Sequence, residues 1–343
     1  MKLRALALLT TALLWIGPAQ AEALALLIGV SGYPQLPESR RLRGPRNDVP
    51  MMQEALQRAG MPLANIRLLA DGVAGSQGLP TRAAILNALA QLAADSRAGD
   101  WVVVYFSGHG SQQPQPADTP AALREADGLD EIFLPYDIGR WDGRLGRVAG
   151  ALVDDDIGAA LRAVQARGAR LWAIFDTCHA GDMAKSWGSG DGLRRERNVP
   201  ANELGTPQSA PVATTHPGHA NANANANANA EAKASGRKPA LRQAVPGAVI
   251  FYASQADEPA AEEALPLAFA TRHAKPAGPA LPPDRQVYGY FSYLIAQELT
   301  LPGGQNLATL AQRVSERYRS RPFPTPGFEG ELRQELRFPG RSP

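Results

Sequence analysis

The chain has 343 residues, with 35 Lys and Arg against 33 Asp and Glu and a formal net charge of +2. That balance provides no field suited to nucleic acid or to an anionic membrane surface, and the length allows one large core or two modest ones. One cysteine in the whole chain excludes an internal disulfide framework, so Cys178 is either a small buried apolar group or a thiol that does chemistry.

The opening stretch MKLRALALLTTALLWIGPAQAEA places Lys2 and Arg4 before an apolar run that stops at Gly17-Pro18, and Ala19 and Ala21 follow in an A-x-A pattern. This reads as a signal peptide over residues 1–21, with the mature protein starting at Glu22 and exported to the periplasm or beyond. Ala23–Val30 is a continuous apolar run, as in a strand buried on both faces. Residues 46–59 follow, with Val49, Met52, Leu56 and Ala59 on one helical face, and then a short strand at Ile66–Ala70. Thr81 caps a helix whose stripe is Ile85, Leu89 and Leu92. DWVVVYFSGHG is a third strand that breaks at glycines. DDDIGAALRAVQARG is a helix, acidic at its start and closed by Gly168, and ARLWAIFDTCHAG is a fourth strand ending in a polar turn.

From about 199 to 240 the chain turns small, polar and low in complexity, with the tract HANANANANANAEAKASG. It cannot bury enough apolar surface to order itself and reads as a disordered insertion in one domain spanning 22–343. Gly247–Glu258 resumes as a strand. Two helical stripes follow, at Phe291, Leu294, Ile295 and Leu299 and at Leu307, Leu310 and Val314, and ELRQELRF reads as a closing strand. Alternating apolar strands and helices give an α/β fold with a mostly parallel sheet covered on both faces. Function in such sheets collects beyond the carboxyl ends of the strands, which is where His109 and Cys178 fall.

Residues two apart on a strand share a face, so Ser107 pairs with His109 and Asp176 with Cys178. If the two strands are neighbours, His109 faces Cys178 and Ser107 lies near Asp176. A free thiol, with a pKa near ~8.5, is a few per cent thiolate at neutral pH; a nearby imidazole makes it a usable nucleophile. The N–H groups of Gly110 and Cys178 could hold an oxyanion. Acyl transfer then needs no metal or other cofactor.

The motifs YFSGHG, DGLDEIFLPYD, LVDDDI and FDTCHAG occur in that order, with LRGPRND before them and VIFYASQADEPAAE and GYFSYLIAQEL after. In these the chain resembles the metacaspases, caspase-like cysteine peptidases, over roughly Ala23 to Leu299. The resemblance implies a caspase-like three-layer α/β/α sandwich with a mostly parallel central sheet. It makes Cys178 the nucleophile and His109 its general base and acid. It places Asp48, Ser107 and Asp176 in the pocket for the substrate side chain before the scissile bond, an arginine or lysine. The charge agrees, since carboxylates in a partly buried slot call for a cation. The expected partners are peptides or proteins cut after Arg or Lys by a monomer, with no nucleic acid and no membrane involved.

Many metacaspases have a cysteine where this chain has Pro45, which leaves the preference between Arg and Lys open. Asp130, Asp154 and Asp155 match carboxylates that hold an activating calcium in several members, with Asp182 as a further candidate; the competing reading is that Asp154–Asp156 cap a helix. Two rival classes stand beside the peptidase: a caspase-fold binding module without catalysis, and a caspase-like enzyme of other specificity. Arg194, Arg195 and Arg197 precede the low-complexity tract and Lys233, Arg237 and Lys238 follow it, so an enzyme accepting Arg or Lys is expected to cut itself there.

Overall fold

The computed structural model describes residues 21–116, 119, 124–125, 127–178, 194–207, 245, 247–254, 258–269, 281–319 and 324–338. The leader reading, apart from Ala21, lies outside the described residues, as do His179, Asp182 and residues 208–240 of the proposed insertion.

The central sheet has six strands: β1 (Ala23–Gly29), β2 (Ile66–Ala70), β3 (Trp101–Ser107), β9 (Arg170–Asp176), β11 (Ala248–Tyr252) and β14 (Gly327–Glu329). Their order is β14-β11-β9-β3-β1-β2, and all run parallel except the edge strand β14. The continuous apolar runs have a simple cause. Val103 and Tyr105 of β3 enter the core on one face, with the helices α1 (Pro45–Arg58), α4 (Tyr290–Leu299) and α5 (Leu307–Tyr318). Val102, Val104 and Phe106 enter the other, with α2 (Arg82–Asp95) and α3 (Asp154–Gln165). The three-layer α/β/α sandwich expected from the sequence is therefore the one formed. Each fully buried Val, Leu or Phe in these runs contributes about 1.5–3 kcal/mol, so both helical layers are pinned to the sheet.

Local signals set the boundaries. Pro45 opens α1 at its first turn, where a missing N–H costs nothing. The Thr81 hydroxyl accepts from the Ala84 N–H at 3.2 Å, capping α2. Smaller sheets stand beyond the carboxyl ends of the central strands: β4 (Gly110–Pro114) with β5 (Leu129–Phe133) and β8 (Leu152–Val153), and β10 (Arg195–Glu196) with β12 (Ala261–Pro266) and β13 (Arg285–Gly289). A hairpin of β6 (Trp141–Asp142) and β7 (Arg147–Val148) lies between β5 and β8 in sequence.

Two expectations are corrected. ELRQELRF is not a strand; the closing strand is β14, just before it, and only Glu335 of the segment makes an isolated bridge, to Asn306. Residues 199–207, read as the start of an insertion, are packed: Val199 and Leu204 are wholly buried, because these two apolar side chains still find core beside β4.

Candidate active site

The strands β3 and β9 are neighbours in parallel register, with Ser107 opposite Asp176. That pairing brings the two polar strand ends together, and Gly110 packs on Cys178 so closely that a Cβ there would lie 1.6 Å from the Cys178 carbonyl oxygen. Only glycine fits at that position.

His109 is buried and held from two sides. Its backbone N–H donates to the Tyr33 hydroxyl at 2.8 Å, and the two rings lie 4.9 Å apart. Tyr33 is placed by a turn whose Ser31 and Gly32 N–H groups donate to the Asp71 carboxylate at 2.7 and 2.9 Å. The imidazole Nε2 lies 2.7 Å from the Arg40 carbonyl oxygen. A carbonyl only accepts, so Nε2 carries the proton and Nδ1 is left as the bare lone pair. Nδ1 is buried and has no hydrogen-bond partner among the described residues. Burial lowers the His109 pKa to about 4, opposed by the carbonyls of Arg40 and Arg197. The imidazole is neutral at pH 7.

The Cys178 thiol is also wholly buried. Sγ accepts from the Ala260 N–H at 2.8 Å and donates to the Ala260 carbonyl at 3.3 Å. Among the described residues its hydrogen bonds are to Ala260 and not to His109. Burial pushes the thiol well above its usual range, and hydrogen bonds from the Ala260 and Arg197 backbones pull against that rise.

Asp48, Ser107 and Asp176 do form one pocket, and it contains a cation of the chain itself. Arg197 is 0% exposed. Its Nη2 lies 2.5 Å from Asp48 Oδ2, and its Nη1 donates to Ser107 Oγ and to the Asp176 carbonyl at 2.8 Å each, with Asp176 Oδ2 at 3.2 Å. Ser107 in turn donates to Asp48 Oδ2 at 2.9 Å. Asp48 Oδ1 accepts from the Gly289 N–H at 2.9 Å, and Asp176 Oδ2 from the N–H and hydroxyl of Ser292. A third carboxylate, Glu262, is wholly buried beside the guanidinium and accepts from the Arg43 and Gly44 N–H groups at the start of α1. Burial raises the Asp176 pKa against the pull of Arg197, while the three acids raise the Arg197 pKa against burial. Gly289 closes the pocket wall: a Cβ there would lie 2.1 Å from Asp176 Oδ2 and 2.6 Å from Arg197 Nη2.

Sequence reasoning found the pocket's three polar residues and missed its occupant. It also missed Tyr33, Arg40, Ala260, Glu262, Gly289 and Ser292. Ala260 and Glu262 lie in VIFYASQADEPAAE and Gly289 and Ser292 in GYFSYLIAQEL, but periodicity gives them no role, since they reach the site from separate elements. The Gly110 N–H, expected to hold an oxyanion, donates to the Arg197 carbonyl at 2.9 Å. The Cys178 N–H makes no such contact among the described residues.

The carboxylates expected to bind calcium do not all meet. The group that converges is Glu125, Glu131 and Asp154, with oxygen atoms within 4.8 Å of one another. Asp154 is shared with the expected set, whereas Asp130 and Asp155 are not in that group. Neighbours on a strand point to opposite faces, so Glu131 of β5 reaches the group and Asp130 instead accepts from Gln115 at 2.7 Å.

Residues 24–186 match the family model of the metacaspase, peptidase C14 domain. Metacaspase-1 of Candida albicans is 33% identical over 159 residues, which are 46% of this chain and 33% of that protein. Metacaspase-1A of Aspergillus oryzae is 36% identical over 185 residues, 53% of this chain and 40% of that protein. The chain thus spans between 33% and 40% of the length of these relatives. A crystal structure of a Geobacter sulfurreducens protein superposes with a TM-score of 0.55 at 18% identity, covering 92% of this chain and 97% of that one, a likeness of fold alone. Arg197, Ala260, Glu262, Gly289 and Ser292 lie beyond the matched span, and His109, Cys178, Asp48, Ser107 and Asp176 lie within it: over residues 24–186 the chain is similar to the metacaspase, peptidase C14 domain.

Proposed function

We propose that the protein is a cysteine endopeptidase that cleaves peptides and proteins after Arg or Lys through Cys178 and His109. The observation that carries this reading is the buried pocket of Asp48, Ser107 and Asp176 around a guanidinium, next to the only thiol of the chain. A substrate arginine entering the pocket exchanges water for charge-assisted hydrogen bonds, each worth about 1.5–3 kcal/mol. An aspartate side chain would meet like charge in a site of low dielectric.

The chain's own groups supply the steps. With Nε2–H tied to the Arg40 carbonyl, His109 offers Nδ1 to take the thiol proton. Cys178 Sγ attacks the scissile carbonyl carbon, and the oxyanion is stabilised by the Gly110 N–H. The proton on Nδ1 passes to the leaving amine, and water then hydrolyses the thioester. The chemistry needs no cofactor. Calcium enters as a regulatory ion: Glu125, Glu131 and Asp154 offer the hard oxygen donors that suit it. Turnover of fluorogenic peptides that differ only before the cleaved bond, by wild type and by Cys178→Ala, tests the reading.

A further inference from the structure

Arg197 is not merely a buried cation. The segment around it lies in the cleft as an extended strand, paired on both sides. Upstream, Arg195 and Glu196 form β10 and pair antiparallel with Glu262 and Ala261 of β12. The Arg197 N–H donates to the Ala260 carbonyl at 2.8 Å, which extends that ladder to the residue touching Cys178. The Arg197 carbonyl accepts from Gly110, the donor placed for an oxyanion, at 2.9 Å. Its side chain fills the Asp48–Ser107–Asp176 pocket. Downstream, Asn198 bridges Gly110, and the Val199 N–H donates to the Gly110 carbonyl at 3.1 Å. Arg197 thus lies between Ala260, whose backbone holds Cys178 Sγ, and Gly110, which follows His109.

We infer that Arg195–Val199 is an internal substrate strand, which occupies the cleft against outside peptides until Cys178 cuts the bond between Arg197 and Asn198. The inference rests on the peptidase reading above and names the one bond. Cys178 Sγ bonds to the Arg197 carbonyl carbon as the bond to the Asn198 nitrogen breaks. The thiol proton travels by way of His109 Nδ1 to the Asn198 amine. Water then releases the Arg197 carboxylate and restores the thiol. The other arginines nearby lack these contacts: the Arg195 side chain is directed to the carbonyls of Ser39 and Arg41, away from the pocket.

The test is intact-mass spectrometry of freshly purified full-length protein over time, beside turnover of a fluorogenic peptide ending in arginine. Wild type should split between Arg197 and Asn198, with peptide turnover rising about tenfold or more as the cut accumulates. Cys178→Ala should stay whole. Arg197→Gln should stay whole at that bond and turn the peptide over without a lag; if this variant fails to fold, wild type against Cys178→Ala decides the matter. Wild type that turns over the peptide at full rate with the Arg197–Asn198 bond intact, or that cuts first at another bond, overturns the inference and leaves the peptidase reading standing. If no form turns over any peptide, the peptidase reading fails, and binding decides the occupancy claim. In a Cys178→Ala background, Arg197→Gln should bind a fluorescein-labelled arginine peptide at least about tenfold more tightly than the form that keeps Arg197, and equal affinities overturn the claim.

Discussion

The guanidinium of Arg197 and the carboxylate of Asp48 form an ion pair with both side chains at 0% exposure, 2.5 Å apart, and 149 positions separate them in the chain. Leaving either charge buried without the other costs roughly 3–5 kcal/mol. The pocket is therefore stable only with a cation inside or with water admitted. Under the proposed specificity a substrate arginine would compete for the same oxygens, so closing the protein and selecting the substrate would draw on the same interactions.

Asp176 measures that selection. In an Arg197→Gln background, where the proposal has the pocket open to outside peptides, Asp176→Asn keeps the shape and removes a charge. The expected loss in kcat/KM for peptides with Arg before the cleaved bond is roughly ten- to a hundredfold, on the order of 1.4–2.8 kcal/mol. An unchanged Arg preference would mean that the charge recognition lies elsewhere.

Gly289 sets the room available. Gly289→Ala places a methyl 2.1 Å from Asp176 Oδ2 and 2.6 Å from Arg197 Nη2. Overpacking of this kind costs about 1–3 kcal/mol. Denaturation should show the lower stability, and KM for arginine peptides should rise about tenfold. Wild-type values for both would show that the wall yields more easily than its contacts indicate.

Acid should loosen the closed form through His109. Its pKa is lowered from 6.5 to about 4 by burial, with Arg40 and Arg197 nearby opposing a positive charge. Between those values the unfolded chain binds a proton that the folded chain refuses, so stability is full above about pH 6.5 and falls as pH drops toward 4. From pH 7 to pH 5 the loss from this group is roughly 2 kcal/mol. Urea denaturation of wild type and His109→Gln at the two pH values measures it. An equal pH dependence in both proteins would remove His109 as the cause.

Calcium activation has a defined set of residues to test. Chelator should lower peptide turnover and added calcium restore it, whereas Asp154→Asn should show no response to either. Full activity in excess chelator would leave Asp154 with only its place at the start of α3, where an acid stabilises the helix dipole by about 0.3–1 kcal/mol.

How much of this was legible in the sequence follows from what periodicity can carry. Ser107, His109, Asp176 and Cys178 could be read because each pair sits two apart at the end of an apolar strand, and the parallel register of β3 and β9 then joins the pairs. Arg197 could not. It lies in RRERNVP, which has no apolar period, just before a low-complexity tract, and the strand that precedes it, β10, is two residues long. A flanking arginine there reads as a solvated charge or a cleavage site, and its place in the pocket exists only once β12 supplies an edge for it. ELRQELRF misled for the opposite reason: Leu336 and Phe338 are buried two apart as in a strand, but the sheet edge at β11 is already taken by Gly327–Glu329. On β5 the choice between Asp130 and Glu131 for the acidic group depended on which face of a short strand meets α3, and DGLDEIF does not encode that.

The proposed peptidase is tested most directly by kcat/KM on matched fluorogenic peptides carrying Arg, Lys, Asp or Asn before the cleaved bond, for wild type, Cys178→Ala and His109→Ala. Turnover is expected after Arg and Lys alone, with both variants inactive and still folded, since alanine fits within the volume of the side chain at 178. Preference for Asp or Asn, or turnover by Cys178→Ala within a few-fold of wild type, would contradict it.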